Sequence, residues 1–185
     1  SLQRGRLRQL TILGVVAYHA ALLYPRTLDV ARHLSANLLN EGAISNRRVQ
    51  TNFMVARSVE HIADQLRTGI LVITPGDRQD IIMAASLASM NGVPLAGLLL
   101  TCGYLPDESI RRLCRPALSA DLPVMLVHEN SYETATKLSQ MDTQVPLDDI
   151  ARMEQVLEFI ADSIDPAPIM QRLEAPAELR LSPPA

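Results

Sequence analysis

From residue 70 onward the apolar positions of the chain recur in a regular way. The runs "ILVIT", "PLAGLLLT" and "PVMLVHE" return about every 25 residues, and a segment of helical spacing follows each of them. Near-continuous apolar strands alternating with helices predict a parallel sheet covered on both faces, with right-handed crossovers. Residues 81–90, "IIMAASLASM", are apolar nearly all round, which predicts a helix buried on more than its sheet face, by a neighbouring helix or by another subunit. Ile110, Leu113, Cys114, Ala117 and Leu118 keep one helical face apolar and leave Arg111, Arg112 and Arg115 on the wet side. Ser131 is the expected cap of a helix through Leu138, and Asp148 or Asp149 that of a long helix. The stripe of that last helix is Ile150, Met153, Val156, Leu157, Ile160 and Ile164.

Ahead of residue 70 the pattern is less even. Residues 11–18, "TILGVVAY", form a run of strand type. Thr27 is expected to cap a helix with Leu28, Ala31, Leu34 and Leu38 on one face, ended by Asn40-Glu41-Gly42. Val49, Thr51, Phe53 and Val55 alternate as in a strand, and Ser58 with Glu60 opens a helix that buries Val59, Ile62, Ala63 and Leu66. The pattern leaves the order of these early strands open, since they can join the sheet as antiparallel or edge members. After Asp165 the prolines at 166, 168, 176, 183 and 184 remove backbone donors and predict a connector, with a helical turn or two near Ile169 to Leu173. The expected fold class is therefore α/β: a three-layer, mostly parallel sheet of βα units, Rossmann-like, with helices on both faces. Residues 1–165 form that domain, and 166–185 the proline-rich connector.

Composition narrows the function classes. A chain of 185 residues buries roughly 70% of its unfolded surface and folds without staples. Aromatic residues make up only 3%, with no Trp, so the core is aliphatic. A net charge of −3 and the lack of a long basic stripe argue against nucleic acid as a partner; Arg4, Arg6 and Arg8 make only a short basic tip. Cys102 and Cys114 form no CxxC pair, and no metal site is expected. No run reaches the 18 to 20 or so apolar residues of a membrane span and no signal peptide precedes the first strand, so no membrane partner and a cytoplasmic location are expected. The start at Ser1-Leu2-Gln3 and the proline-rich end suggest a piece of a longer protein.

In open parallel sheets ligands bind beyond the carboxyl ends of the strands, beside helix N-termini. Here those ends are Thr74 to Asp80, Thr101 to Tyr104 and His128 to Ser131, which would bring Arg78, Thr101, Tyr104, His128 and Glu129 to one polar crevice. Asp77 and Asp80 suit a helix start as cap and favourable charge. Arg78 does not, because a cation there opposes the helix dipole; either it pairs with a carboxylate, Asp80 or Glu41, or it helps the terminus hold an anion. Arg47-Arg48, after a turn and before a strand, is a second place for an anion or an ion-paired loop. His19, His33 and His61 stand at no metal-ligand spacing, and the chain has no GxSxG, GxGxxG or GxxxxGK[ST] motif. No catalytic residue and no cofactor are expected from these residues.

The segments "NEG" and "RRV", then "GDRQDIIMAASLASMNGVPLAGLLLTCGY", "DLPVMLVHENSYET", "VPLDD" and "RLSPPA", occur in an order and spacing that resemble the DRTGG domain, the middle module of long-form bacterial phosphate acetyltransferases. The likeness runs from about Ile12 to Ala185, and its matching residues are Asn40, Glu41, Gly42, Arg47, Arg48, Asp77, Arg78, Asp80, Asn91 and Gly92. The motif in the family's name keeps only Asp77-Arg78 here, followed by Gln79-Asp80. The resemblance implies an N-terminal and a C-terminal catalytic domain outside this chain, and a parent enzyme that interconverts acetyl-CoA plus phosphate with acetyl phosphate plus CoA. It implies for this module a noncatalytic role in regulation by metabolites and in homo-oligomer assembly. Its candidate effector site for an anionic metabolite comprises Asp77, Arg78, Asp80, Arg47, Arg48, Glu41, Thr101, Tyr104 and His128. A purely structural spacer, a metabolite-binding module unrelated to acetyl transfer and a stand-alone enzyme are the competing readings; the last lacks a nucleophile and base in register.

Overall fold

The apolar runs fold as strands and the segments between them as helices. In chain order the elements are α1 (Thr27–Leu34), β1 (Asn37–Asn40), β2 (Thr51–Met54), β3 (Ile70–Pro75), α2 (Gln79–Met90), β4 (Gly97–Thr101), α3 (Glu108–Leu113), α4 (Arg115–Leu118), β5 (Val124–Leu126), α5 (Ser131–Ser139), α6 (Ile150–Ser163) and α7 (Ala167–Glu174). The computed structural model describes residues 13–142 and 144–174. They fall into two compact units: Leu23–Pro146, which carries the sheet, and a second made of the segment ending at Leu22 and the one beginning at Leu147.

The five strands lie in the order β1-β5-β4-β3-β2; β2, β3, β4 and β5 run parallel, and β1 joins the edge antiparallel to β5. The period of two along each strand sorts the side chains onto two faces. Ile70, Val72, Leu98, Leu100, Val124 and Leu126 share one hydrophobic cluster with Ile81, Ile82 and Ala85 of α2 and Ala117 of α4. Leu71, Ile73, Leu99 and Met125 share the other with Val30, Ala31 and Leu34 of α1 and Leu138 of α5. Both crossovers that follow β3 and β4 therefore cover one face, and the helices before β1 and after β5 cover the other. This is the expected three-layer, mostly parallel α/β fold, with an aliphatic core.

Ahead of β3 the structure departs from the pattern. The predicted helix through Leu38 stops at Leu34, because Ser35 turns left-handed (φ 50°) and Ala36 N–H donates back to Ala31 O at 2.9 Å. Asn37 to Asn40 then gain a ladder with β5, which places Leu38 on an edge strand. The predicted helix from Ser58 is two short 3₁₀ turns, Val59–His61 and Ala63–Gln65, around one anchor, the buried Ile62. Of the predicted strand at 11–18, residues 11 and 12 lie outside the described ones; the remainder contributes one bridge, Gly14 to Ile164, with Val15 and Tyr18 exposed. In α2, Ile81, Ile82, Ala85 and Ser86 are buried, but Met83, Leu87 and Met90 stay exposed on a second apolar stripe, so burial all round is not reached. Asn130, one residue ahead of the expected Ser131, caps α5 by accepting from Glu133 N–H at 2.9 Å.

The second unit is held by polar links between its two segments. Asp149 caps α6 as expected, accepting from Arg152 N–H at 3.4 Å. Arg152 Nε donates to Leu22 O at 2.6 Å, and Asp165 N–H to Leu13 O at 2.7 Å. Ile150 and Leu157 of the α6 stripe are exposed.

Candidate functional site

The carboxyl ends of β3, β4 and β5 lie side by side at one rim, as the topology requires, and two of the loops that follow them touch there. A Cβ at Gly76 would stand 1.7 Å from Tyr104 O, so the loops after β3 and β4 touch main chain to main chain. Cys102 (φ 66°) and Gly103 (φ 68°) turn left-handed in succession. Their N–H groups donate to Glu129 O at 2.8 Å and Val127 O at 2.9 Å, so these donors are used inside the fold. A Cβ at Gly103 would lie 2.8 Å from His128 Nδ1. The Thr101 and Ser131 hydroxyls share a hydrogen bond of 2.8 Å. Glu129 is paired with Lys137, whose hydrogen bond holds its carboxyl below the usual carboxylate range.

Arg78 occupies the position just before the first turn of α2. Its Nε and Nη2 donate to the two carboxylate oxygens of Asp80, both at 3.0 Å, and Nη2 also donates to Arg57 O at 3.0 Å. The bidentate pair places the guanidinium between a helix start and the loop after β2. The same hydrogen bond raises the Arg78 pKa and lowers that of Asp80. The Asp80 carboxylate thus offsets a cation at this helix terminus.

Glu41, Arg47 and Arg48 stand elsewhere. Arg47 O accepts from Thr27 N–H at 2.9 Å, Arg48 bridges Arg26, and Gln50 N–H donates to Gly69 O at 2.8 Å where β3 begins. Glu41 follows Asn40, which is opposite Val124 at the start of β5. These residues belong to the amino ends of the parallel strands, and β3 alone separates the two ends by about 17 Å. The expectation of one crevice shared by Arg78 with Arg47, Arg48 or Glu41 is therefore corrected, because in a parallel sheet the loop before a strand and the loop after it lie at opposite ends. At that amino end the sequence reading missed a buried ion pair. Arg26 Nη2 donates to Asp29 Oδ1 at 2.7 Å, and Arg26 N–H and Nε donate to Oδ2 at 2.9 and 3.1 Å. The i, i+3 spacing of an Arg and an Asp around Thr27 was its only signal.

A cavity of about 260 Å³ opens on the face covered by α2, α3 and α4. Leu98, Leu100 and Val124 line it from the sheet, and Arg111, Arg115 and Leu118 from the α3–α4 segment. None of the nine predicted site residues lines it. It was missed because Arg111 and Arg115 read as a solvated face. Among the described residues no group of three or more His, Cys, Asp or Glu stands together as a metal site, and no helix is long and apolar enough to cross a membrane.

A model of the DRTGG domain matches residues 29–141, more than half of the chain and all within the sheet-bearing unit. The chain belongs to the DRTGG domain family. Its relatives include phosphate acetyltransferases of Pseudomonas aeruginosa, 50% identical over 94% of this chain, of Deinococcus radiodurans, 46% over 96%, and of Escherichia coli, 43% over 95%. This DRTGG chain spans about a quarter of their length, 25%, 26% and 25% in turn. Among solved structures it is similar to the CBS and DRTGG domains of the regulatory region of Clostridium perfringens pyrophosphatase, crystallised with its activator diadenosine tetraphosphate. That likeness has a TM-score of 0.51 at 15% identity and covers 84% of this chain and 69% of the other, so it is a likeness of fold.

Proposed function

We propose that this DRTGG domain is the noncatalytic, regulatory and oligomerising middle module of a phosphate acetyltransferase whose full length converts acetyl-CoA and phosphate to acetyl phosphate and CoA. The observation that carries the reading is the match along nearly the whole chain to a quarter of several enzymes of that name. The likeness to a regulatory region that holds a nucleotide activator supports an effector role. The assembly half of the reading draws on the exposed stripe Met83, Leu87 and Met90, a second apolar face on a helix that already covers the sheet. In the full-length enzyme, acetyl phosphate formation is measured with and without Leu23–Pro146, across concentrations of pyruvate, nicotinamide dinucleotides and adenine nucleotides. Turnover is expected to survive the deletion and the response to metabolites to disappear. Loss of turnover with the assembly intact would put catalytic groups in the module and end this reading.

A spacer role draws on one observation, the guanidinium of Arg78 already held by Asp80 and Arg57 O. That clamp explains Arg78 without any effector. An enzyme whose response to metabolites is unchanged by the deletion would favour the spacer.

A further inference from the structure

The cavity beneath α3 and α4 is where apolar surface and uncompensated positive charge meet in the sheet-bearing unit. Its accessible apolar wall is Leu39 and Leu105, both exposed, with the half-buried Leu118, while Leu98, Leu100 and Val124 of the sheet stay buried. Arg111, Arg115 and Ser119 follow at i, i+4 and i+8 along α3 and α4 and form its polar wall, and no carboxylate lines it. Two guanidinium groups one helical turn apart repel each other. Arg111 has a local reason to be there: it pairs with Glu108 and lies in the last turn of α3, where the dipole favours a cation. Neither reason applies to Arg115. It opens α4, where the dipole disfavours it, and its side chain has no partner among the described residues. A cation without a carboxylate, set at the mouth of an aliphatic cavity, is the arrangement that recognises an oxyanion carried on an apolar body.

We propose that this cavity binds a small amphipathic organic anion, its apolar body against Leu39, Leu105 and Leu118 and its carboxylate or phosphate on Arg115 beside Arg111. The proposal deepens the regulatory reading above by giving the effector a site and a chemical class. At Arg78, by contrast, the guanidinium is already held by its own carboxylate, Asp80.

Calorimetric titration of the chain with hexyl phosphate, hexanol and inorganic phosphate tests the site. Hexyl phosphate is expected to bind at least about tenfold more tightly than either half-ligand, because charge-assisted hydrogen bonds add to apolar burial. Arg115→Gln should weaken it about tenfold with an unchanged thermal midpoint. Arg112→Gln, one residue outside the lining, should leave it alone. The proposal is overturned if hexanol binds as well as hexyl phosphate, if Arg115→Gln binds like the unsubstituted chain, or if hexyl phosphate gives no saturable heat. Binding to the chain is read without catalysis, so the two readings fail separately. Tight, Arg115-dependent binding, with a full-length enzyme whose rate responds to no metabolite, would keep the site and remove the regulatory role.

Discussion

At Arg78 a single charge is explained by its nearest carboxylate, and the explanation carries a pH signature. The Asp80 carboxyl is held below its ordinary value of 3.8, first by the Arg78 hydrogen bond. A carboxylate lowered in the folded state stabilises above its unfolded value and loses that contribution as pH falls through its folded value. Both side chains are about one-third or more exposed, so solvent screening holds the pair to roughly 0.2 to 1 kcal/mol. Urea unfolding of the unsubstituted chain and Asp80→Asn should therefore differ by that amount near neutral pH and converge below the ordinary carboxylate range. A gap that persists in acid would show that the carboxylate's charge is not its source. Arg26 and Asp29 are the opposite case, with side chains only 7% and 5% exposed. Removing Asp29 takes three hydrogen bonds from Arg26, two of them from its buried guanidinium, so Asp29→Ala should cost about 1.5 to 3 kcal/mol in the same experiment. The joint replacement of Arg26 by Met and Asp29 by Leu should recover most of that loss, and failure to recover it would mean the pair does more than neutralise itself.

Elements were legible where one physical signal dominated. From β3 to β5 continuous apolar runs left no competing period, and the strands, their helices and their parallel order follow from them. Ahead of β3 two signals conflicted. Leu38 stands four residues after Leu34 and so continues a helical stripe, yet the helix ends because Ser35 takes a left-handed turn that a sequence of Ser, Ala and Asn does not announce. The predicted rim was legible as topology, and the loops after β3, β4 and β5 do lie side by side there, with Tyr104 against Gly76 and His128 against Gly103. The close approach of its loops was not, since a main-chain contact such as that of Gly76 with Tyr104 has no side-chain code. The cavity escaped because an arginine at a cavity mouth and one in open solvent have the same helical phase. The α1 end gives a test at this scale. Gly carries no Cβ penalty at φ 50°, so Ser35→Gly should stabilise the chain by about 0.5 to 1 kcal/mol, whereas Ser35→Val should destabilise it. Equal midpoints for all three would mean that the left-handed turn does not set the helix end.

Across the whole molecule, the hydrophobic clusters, the family match and the cavity share one stretch of chain. Every residue of both buried clusters lies between Val30 and Leu138, the family model spans 29–141, and the cavity runs from Leu39 to Val124. All of them fall within Leu23–Pro146. Cooperative unfolding depends on apolar area buried together, and a stretch that keeps every residue of both clusters keeps that area. The fragment Leu23–Pro146 is therefore expected to fold alone, with one cooperative urea transition and the helical circular dichroism of α1 to α5. Its denaturant slope should fall only in proportion to the surface it omits. Hexyl phosphate should still bind it, because no lining residue is lost. A fragment that unfolds without a cooperative transition would show that residues before Leu23 or after Pro146 supply stability that the two clusters do not. A fragment that folds but no longer binds would locate the binding determinants outside the lining of the cavity, and in that case the assignment of Arg111 and Arg115 falls with it.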